Sequence, residues 1–130
     1  MGQPAAKLGD RITATDTHIA MVPTPGGEVP IPLPHLFSGT INGNLSADVN
    51  LMGLPAATMG SMAVNLPPHI PAGTSFMIPP TNQGTILKGS PTVLINGKMA
   101  ARNGDIALTC NDPAPLPVGT VIAFGTVLIG

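Results

Sequence analysis

The chain has no tryptophan or tyrosine and only three phenylalanines among its 130 residues. Aliphatic side chains and methionine must therefore fill any core, and each buries less apolar area than an aromatic ring. Charged residues make up 8% of the chain, with five basic residues and a net charge of −1. Because nucleic-acid binding relies on clustered Lys and Arg, we expect no nucleic-acid partner.

The single cysteine, Cys110, excludes an intrachain disulfide and leaves its thiol to be considered as a metal ligand. The first residues contain neither the basic region nor the apolar stretch of a secretory signal peptide. The longest apolar segment, residues 121–130, is about half the length of a membrane-spanning helix. If the protein leaves a cell, we expect a route without a cleaved signal.

Proline and glycine are abundant, with 16 of each. Proline lacks the backbone donor that helices and sheet ladders need, and glycine weakens both, so long helices are nearly excluded. Such a composition also occurs in disordered chains, but the low charge and the aliphatic clusters between turns argue against disorder. We expect one mainly β domain over residues 1–130. The proline-rich segments 23–34, 67–80 and 113–117 are expected to be rigid loops outside the sheets.

A short pattern, Ala-Ala-x-x-Gly-Asp, occurs in three variants that begin at Ala5, Ala56 and Ala100. The longest match pairs residues 46–57 with residues 90–101, where an aliphatic strand and a turn precede Ala-Ala. Asn-Gly pairs favour type I′ hairpin turns, which predicts turns at 96–97 and 42–43.

The two chain ends complete the count of repeats. Residues 125–130 resemble the first half of a unit, and residues 4–10 supply a second half. Pairing of the ends would make a third unit and close a pseudo-threefold ring without a free sheet edge.

The chain's nitrogen and sulfur ligands form a small set. His18 and His69 each lie thirteen residues after the first alanine of their repeat, and Cys110 lies slightly earlier in the third. Equivalent positions of a pseudo-threefold fold meet at the axis, so we expect these three to converge, with His35 reaching in from the first proline-rich segment. Four such ligands are the number that a closed zinc site takes. A lone His or Cys is more often structural, so the repeat register carries this prediction.

The carboxylates suggest no catalytic site. Asp10 and Asp105 sit in the repeat turns, where capping of backbone amides is the expected role. Asp16 and Asp112 lie near His18 and Cys110 and either orient those ligands or are solvated loop residues. No nucleophile elbow or phosphate-binding glycine loop is present in the sequence. We predict no catalytic residues.

The repeats resemble the signature of PAAR-repeat proteins, named after Pro-Ala-Ala-Arg. Residues 4–10, 90–97 and 100–105 carry the likeness, which extends over nearly the whole chain. The chain departs from the pattern at four positions: Lys7 and Thr58 stand in place of Arg, Ser61 in place of Asp and Met99 in place of Pro.

This resemblance implies a small pseudo-threefold β cone that caps a spike. The partner is the homotrimeric, VgrG-like β-helical spike of a contractile injection apparatus: a type VI secretion system, an extracellular injection particle or a phage-like tail. A monomeric tip, one per trimer, would sharpen the spike for membrane piercing, with effectors as candidate cargo and no catalytic turnover. Assembly in the bacterial cytoplasm and delivery on the particle tip follow from the same likeness.

The resemblance also implies which residues act. Family members hold zinc near the apex with three histidines and one cysteine, which here correspond to His18, His35, His69 and Cys110. The broad base would dock on the spike through the repeat strands around Val49, Val93 and Val127.

Two other functions stay open from the residues alone. A mononuclear zinc hydrolase needs an open coordination position and a nearby general base, and a structural use of all four ligands leaves neither. An isolated structural β-repeat protein, such as an adhesin, predicts no affinity for a trimeric spike.

Overall fold

The computed structural model describes residues 2–130, and these form an all-β protein. In this part of the chain, no helix is long and apolar enough to span a membrane. The strands in chain order are β1 (Gln3–Pro4), β2 (Arg11–Thr24), β3 (Gly27–Gly43), β4 (Asn50–Leu51), β5 (Leu54–Pro55), β6 (Met62–Asn65), β7 (Ser75–Phe76), β8 (Gln83–Ile86), β9 (Leu94–Ile95), β10 (Lys98–Met99), β11 (Ile106–Thr109), β12 (Leu116–Ile122) and β13 (Leu128–Ile129). The mainly β prediction is confirmed.

Six of these strands close into one ring. They are neighbours in the order β12-β11-β8-β6-β3-β2, and β12 also pairs with β2, which closes the ring. The short strand β7 pairs with β2 at Ala20 and Met21. The interior is aliphatic except for Phe37 and Cys110. A Cβ atom added at Gly39 would lie 2.8 Å from the Phe37 ring, and one at Gly84 would lie 3.1 Å from it. The ring of Phe37 therefore packs directly against two glycine backbones.

The three Ala-Ala pairs meet in a closed triangle of backbone hydrogen bonds. The amide of Ala6 donates to the carbonyl of Ala101 at 2.9 Å, Ala101 donates to Ala57 at 3.0 Å, and Ala57 donates back to Ala6 at 3.0 Å. These three residues have no exposed surface. Only a methyl group fits where the three backbones approach this closely, which explains the repeated alanines.

The glycines of the three repeat turns share one role. Gly9, Gly60 and Gly104 have φ angles of 91°, 93° and 89°, a region that favours glycine. Each donates its amide to a buried β-branched residue: Gly9 to Ile41, Gly60 to Ile86 and Gly104 to Val121. Each acceptor ends a Gly-Thr-Ile or Gly-Thr-Val segment. These segments are residues 39–41, 84–86 and 119–121, one in each unit.

The two ends of the chain pair as predicted. Gln3 lies opposite Ile129 and Pro4 opposite Leu128, in antiparallel register. This pair takes the place that the hairpins β4–β5 and β9–β10 have in the other two units. The turn at Asn96-Gly97, with φ angles of 52° and 77°, is confirmed. The hairpin predicted at 42–43 is wrong, because those residues end β3 at a register irregularity opposite β6.

The first proline-rich segment is also different from the prediction. Residues 23–34 are not a loop, because β2 and β3 continue there as one long hairpin, hereafter the arm. Thr17 and Ile19 donate their amides away from β3, to Asn111 and Asp112 side chains. Their partners in β3, Pro34 and Pro32, therefore place the proline nitrogens on the opposite, outer edge. Prolines at these positions interrupt no ladder hydrogen bond.

Candidate metal centre

Four buried donor groups cluster at one end of the strand ring. Atoms of Asp16, His18, His69 and Cys110 lie within 4.8 Å of one another. His18 is eight residues beyond Asp10 along an extended chain, which is about 26 Å at the rise of a β-strand. The cluster therefore lies at the opposite end of the strands from the alanine triangle.

Cys110 is placed by the segment that follows β11. The amide of Thr17 donates to Asn111 Oδ1 at 2.7 Å, and the amide of Asp112 donates to the carbonyl of Thr17 at 2.8 Å. These bonds dock residues 111–112 along the edge of β2. The Cys110 thiol consequently faces the side chains of that strand.

His69 is placed by a pair of asparagines. The His69 amide donates to Asn82 Oδ1 at 2.8 Å, and the Asn65 amide donates to the carbonyl of Asn82 at 2.8 Å. The loop after β6 is thereby held against the residues that precede β8. The His69 side chain is only 2% exposed.

His18 is fully buried among the other donor groups. Burial and the neighbouring His69 lower the pKa of His18 below its ordinary value. Its Nε2 lies 3.6 Å from Cys110 Sγ. Its Nδ1 is buried without a hydrogen-bond partner among the described residues and lies 3.5 Å from Asp112 Oδ1. Asp112 is itself held by the Ile19 amide, at 2.8 Å, and so stands where a carboxylate would orient a metal-bound histidine.

Cys110 is 4% exposed, and burial raises the pKa of its thiol to about 11, with the Asp16 carboxylate adding to the shift. The cysteine is therefore a thiol at neutral pH when no metal is bound. A metal ion that binds here has to displace this proton, because thiolate is the coordinating form.

Asp16 occupies the middle of the cluster, a position that the sequence reasoning did not give it. Its side chain has no exposed surface. Its Oδ2 lies 2.9 Å from His69 Nε2, 3.5 Å from Cys110 Sγ and 4.0 Å from His18 Nε2. Its position two residues before His18, on the same face of a strand, was the available signal.

His35 lies beside the cluster, but its ring nitrogens are engaged elsewhere. Its ring centroid is 5.6 Å from that of His18 and 5.8 Å from that of His69. Its Nδ1 is 2.9 Å from the carbonyl of Leu33, and its Nε2 accepts the amide of Ala72 at 3.2 Å. The structure thus brings His18, His69 and Cys110 together as predicted and gives His35 a separate set of partners.

The residues present fit a zinc ion. Imidazole, thiolate and carboxylate are the ligand types that zinc takes, and all lie buried at one point. The orphaned Nδ1 of His18 is a second indication, because metal-bound histidines direct their other nitrogen to a carboxylate.

At the other end, Val49, Val93 and Val127 occupy equivalent positions. Their carbonyls accept the amides of Ala56, Ala100 and Ala5 at 3.0, 3.0 and 2.9 Å, and their half-buried side chains pack on the alanine cluster. The side chains that point outward are the next residues along the strands. Leu94 and Leu128 are 61% and 60% exposed.

The fold and the site together define a small all-β protein with a closed three-unit ring at one end and a buried group of metal-type ligands at the other. The family model for the PAAR motif matches residues 20–113 and, in a second match, residues 78–130. The chain belongs to the PAAR-motif family, whose role is structural. A comparison with curated proteins finds no match.

Proposed function

We propose that this protein is the zinc-stabilised tip that caps the trimeric, VgrG-like spike of a contractile injection apparatus. The observation that carries the proposal is the triangle of hydrogen bonds among Ala6, Ala57 and Ala101, since it gives one chain three equivalent faces. A single chain of this kind seats on a homotrimer without a symmetry mismatch. Membership of the PAAR-motif family supports the same role.

The three strand pairs beside the triangle form the proposed docking end. They are β4–β5, β9–β10 and β1–β13, and the chain ends make the third. Leu94 and Leu128 stand at equivalent positions and point outward, so apolar contact with the spike is centred on them. The carbonyls of Val49, Val93 and Val127 accept the amides of the repeat alanines and so hold the docking end against the repeats.

The metal centre holds the opposite end together. His18, His69 and Cys110 come from three segments that no disulfide connects, and the core has little aromatic area. Metal coordination contributes directly to folding free energy in small domains of this kind. Zinc at this point ties the arm to the segments that follow β6 and β11.

The remaining parts of the proposal concern assembly, delivery, cargo and membrane contact. The tip assembles with its spike in the bacterial cytoplasm, travels at the point of the particle without a cleaved signal peptide and carries effector proteins as cargo. It contacts a target membrane only during piercing, and it has no catalytic turnover. Buried ligands at a metal centre are consistent with a structural metal rather than a hydrolase.

Co-purification with a homotrimeric β-helical spike protein from the same genome tests the proposal. Wild-type protein should co-elute at one chain per spike trimer. The double variant Leu94→Asp and Leu128→Asp should lose the complex, because charges replace apolar contact, while its zinc content stays unchanged. Leu36→Asp is the matched control, since Leu36 is 80% exposed near the metal end. A spike complex unaffected by the double variant would contradict the assigned docking end.

A further inference from the structure

We propose that Asn82 is a positioning residue of the metal centre, which fixes His69 through its side chain and Cys110 through its backbone amide. It thereby sets the distance between an imidazole and a thiol that come from different segments. Asn82 lies directly before β8 and belongs to neither of those segments. The inference rests on the proposed metal centre and concerns the residues that surround it.

The side chain of Asn82 holds the backbone of His69. Its Oδ1 accepts the His69 amide at 2.8 Å. His69 follows Pro67 and Pro68 in the loop after β6, and neither proline has an amide to donate. Asn82 therefore binds the first amide that the loop offers after the two prolines. This bond fixes the point at which the histidine side chain leaves the loop.

The backbone amide of Asn82 contacts Cys110. Together with the amide of Gln83, it hydrogen-bonds to the Cys110 sulfur. Donors of this kind favour a thiolate, which is the form of cysteine that coordinates a metal. One residue therefore contacts two of the proposed ligands, the histidine through Oδ1 and the cysteine through its amide.

The backbone conformation explains why asparagine stands at position 82. Its φ angle is 58°, in the left-handed region that asparagine, aspartate and glycine adopt most readily. Glycine would suit this backbone, but it has no side-chain acceptor for the His69 amide. β-Branched and bulky side chains are strained at such a φ angle. Asparagine meets both requirements without adding a charge.

Asn65 anchors Asn82 to the strand ring. The Asn65 amide donates to the Asn82 carbonyl at 2.8 Å, and Asn65 Nδ2 donates to Asn82 Oδ1 at 3.2 Å. Asn65 Oδ1 in turn accepts the amide of Ser38, in β3, at 2.8 Å. Asn82 is thus connected to both β6 and β3, so the positions of the two proposed ligands are fixed relative to the ring.

Cobalt(II) binding to the whole chain tests the assignment. Cobalt takes zinc sites and shows d–d bands that respond to every ligand, together with a charge-transfer band from a thiolate. Asn82→Gly keeps the left-handed backbone and its amide but removes the acceptor for His69. Asn82→Asp keeps that acceptor in a side chain of the same size.

The chain also offers a matched control, Asn96→Gly. Asn96 has a φ angle of 52°, and its side chain hydrogen-bonds to Asp48 at 2.7 Å. It lies in the turn between β9 and β10, at the docking end. Asn96→Gly therefore makes the same chemical change in the same backbone conformation, far from the metal centre.

Wild type is expected to bind one cobalt ion with a thiolate band. Asn82→Gly should weaken cobalt binding by about tenfold or more and alter the d–d bands, because His69 is no longer held. Asn82→Asp and Asn96→Gly should retain the wild-type affinity and spectrum. A general loss of stability would not produce this pattern, since the aspartate rescues the site by its acceptor alone.

Two results overturn the positioning role. One is wild-type affinity and spectrum in Asn82→Gly, and the other is an equal loss of affinity in Asn82→Gly and Asn82→Asp. Wild-type protein that binds no cobalt overturns the metal centre on which the inference rests. Spike co-elution, measured separately, decides the capping function.

Wild-type protein loaded with an NMR-active isotope of cadmium covers the case in which Asn82→Gly does not fold. Amide hydrogens that bond to a coordinating sulfur show scalar coupling to the metal. Coupling at the Asn82 amide, together with slow hydrogen exchange at the His69 amide, supports the assignment. Loss of either signal, with cadmium bound, overturns it.

Discussion

The two ends of the molecule are built on different principles. At the docking end, three near-identical segments meet through backbone hydrogen bonds, and Ala6, Ala57 and Ala101 are interchangeable there. At the metal end, the donors are side chains of three kinds, with two imidazoles, one thiol and one carboxylate, so the three units contribute different groups. Backbone bonding needs only small residues at a fixed spacing, so it preserves threefold symmetry. Side-chain chemistry needs particular residues, so it breaks that symmetry.

The arm is the structural reason for the difference. Only the first unit extends its two ring strands into a long hairpin, and this extension supplies Asp16, His18 and His35. The second and third units contribute His69 and Cys110 from the segments after short strands. One unit therefore provides two of the four donor groups. For this reason the metal end lacks the threefold symmetry of the other end.

The largest expected effect is loss of the metal. Cys110→Ala should reduce zinc to substoichiometric levels and lower the melting temperature by about 10–20 °C, because coordination energy is part of folding energy. Elemental analysis and calorimetry measure the two quantities. A chelator should lower the melting temperature of wild type by a similar amount and leave the variant unchanged. Full zinc occupancy in Cys110→Ala would remove Cys110 from the site.

Overpacking the docking end should be the next largest effect. Ala101→Leu adds three carbons where there is no exposed surface and three backbones meet, and we expect a loss of about 3 kcal/mol of unfolding free energy. Zinc should remain stoichiometric, since the metal lies a strand length away. Ala47→Leu, at an exposed position, is the control and should change stability by less than about 0.5 kcal/mol. Denaturant titrations measure both, and equal effects would contradict the packed triangle.

Substitutions in the turns of the three units should lower the free energy of unfolding by different amounts. Lys7 pairs with Asp10 at 3.1 Å, Arg102 pairs with Asp105 at 3.1 Å, and the second unit has the uncharged pair Thr58 and Ser61. Asp10→Ala leaves the buried Lys7 ammonium without its carboxylate and should cost about 2–3 kcal/mol.

The second unit provides the comparison for that value. Ser61→Ala should cost only about 1 kcal/mol, because it removes an uncharged hydrogen bond. The double variant Lys7→Thr and Asp10→Ser imitates the second unit and should recover most of the loss in Asp10→Ala. Chemical denaturation of the single and double variants gives the coupling, and strict additivity would show that the pair does not act as a unit.

The smallest effect on stability is expected at the arm. Pro32→Thr restores an amide on the outer edge of β3, where Gly27–Pro34 pairs only with β2 among the described residues. Stability should change by less than about 0.5 kcal/mol, but association at high protein concentration should increase, since a free strand edge recruits other chains. Ile31→Thr is the control, because the Ile31 amide faces β2. Light scattering compares the two variants.

The sequence predicted best what repetition encodes. The alanine pairs, the turn at Asn96-Gly97 and the pairing of the chain ends are confirmed, because each depends on local chemistry or on a match between segments. The structure also places His18, His69 and Cys110 close together, while their role as metal ligands stays a prediction. Their register relative to the repeats fixes where they lie.

The sequence did not predict what depends on context. Prolines in residues 23–34 indicated a loop, yet alternate prolines are compatible with a ladder once every proline nitrogen faces away from the partner strand. The place of Asp16 among the donor groups was not predicted, because a carboxylate near a histidine is ordinarily a partner or a solvated residue. Its complete burial and the occupied nitrogens of His35 became visible only in three dimensions.

Native mass spectrometry of the assembled complex tests the central claim most directly, because it counts both ends of the molecule at once. The protein is mixed with its trimeric spike and sprayed intact. The account predicts one species, which contains three spike chains, one copy of this 13.1 kDa chain and one zinc ion. A complex with three copies of this chain, or no complex at all, would contradict the single-chain threefold cap.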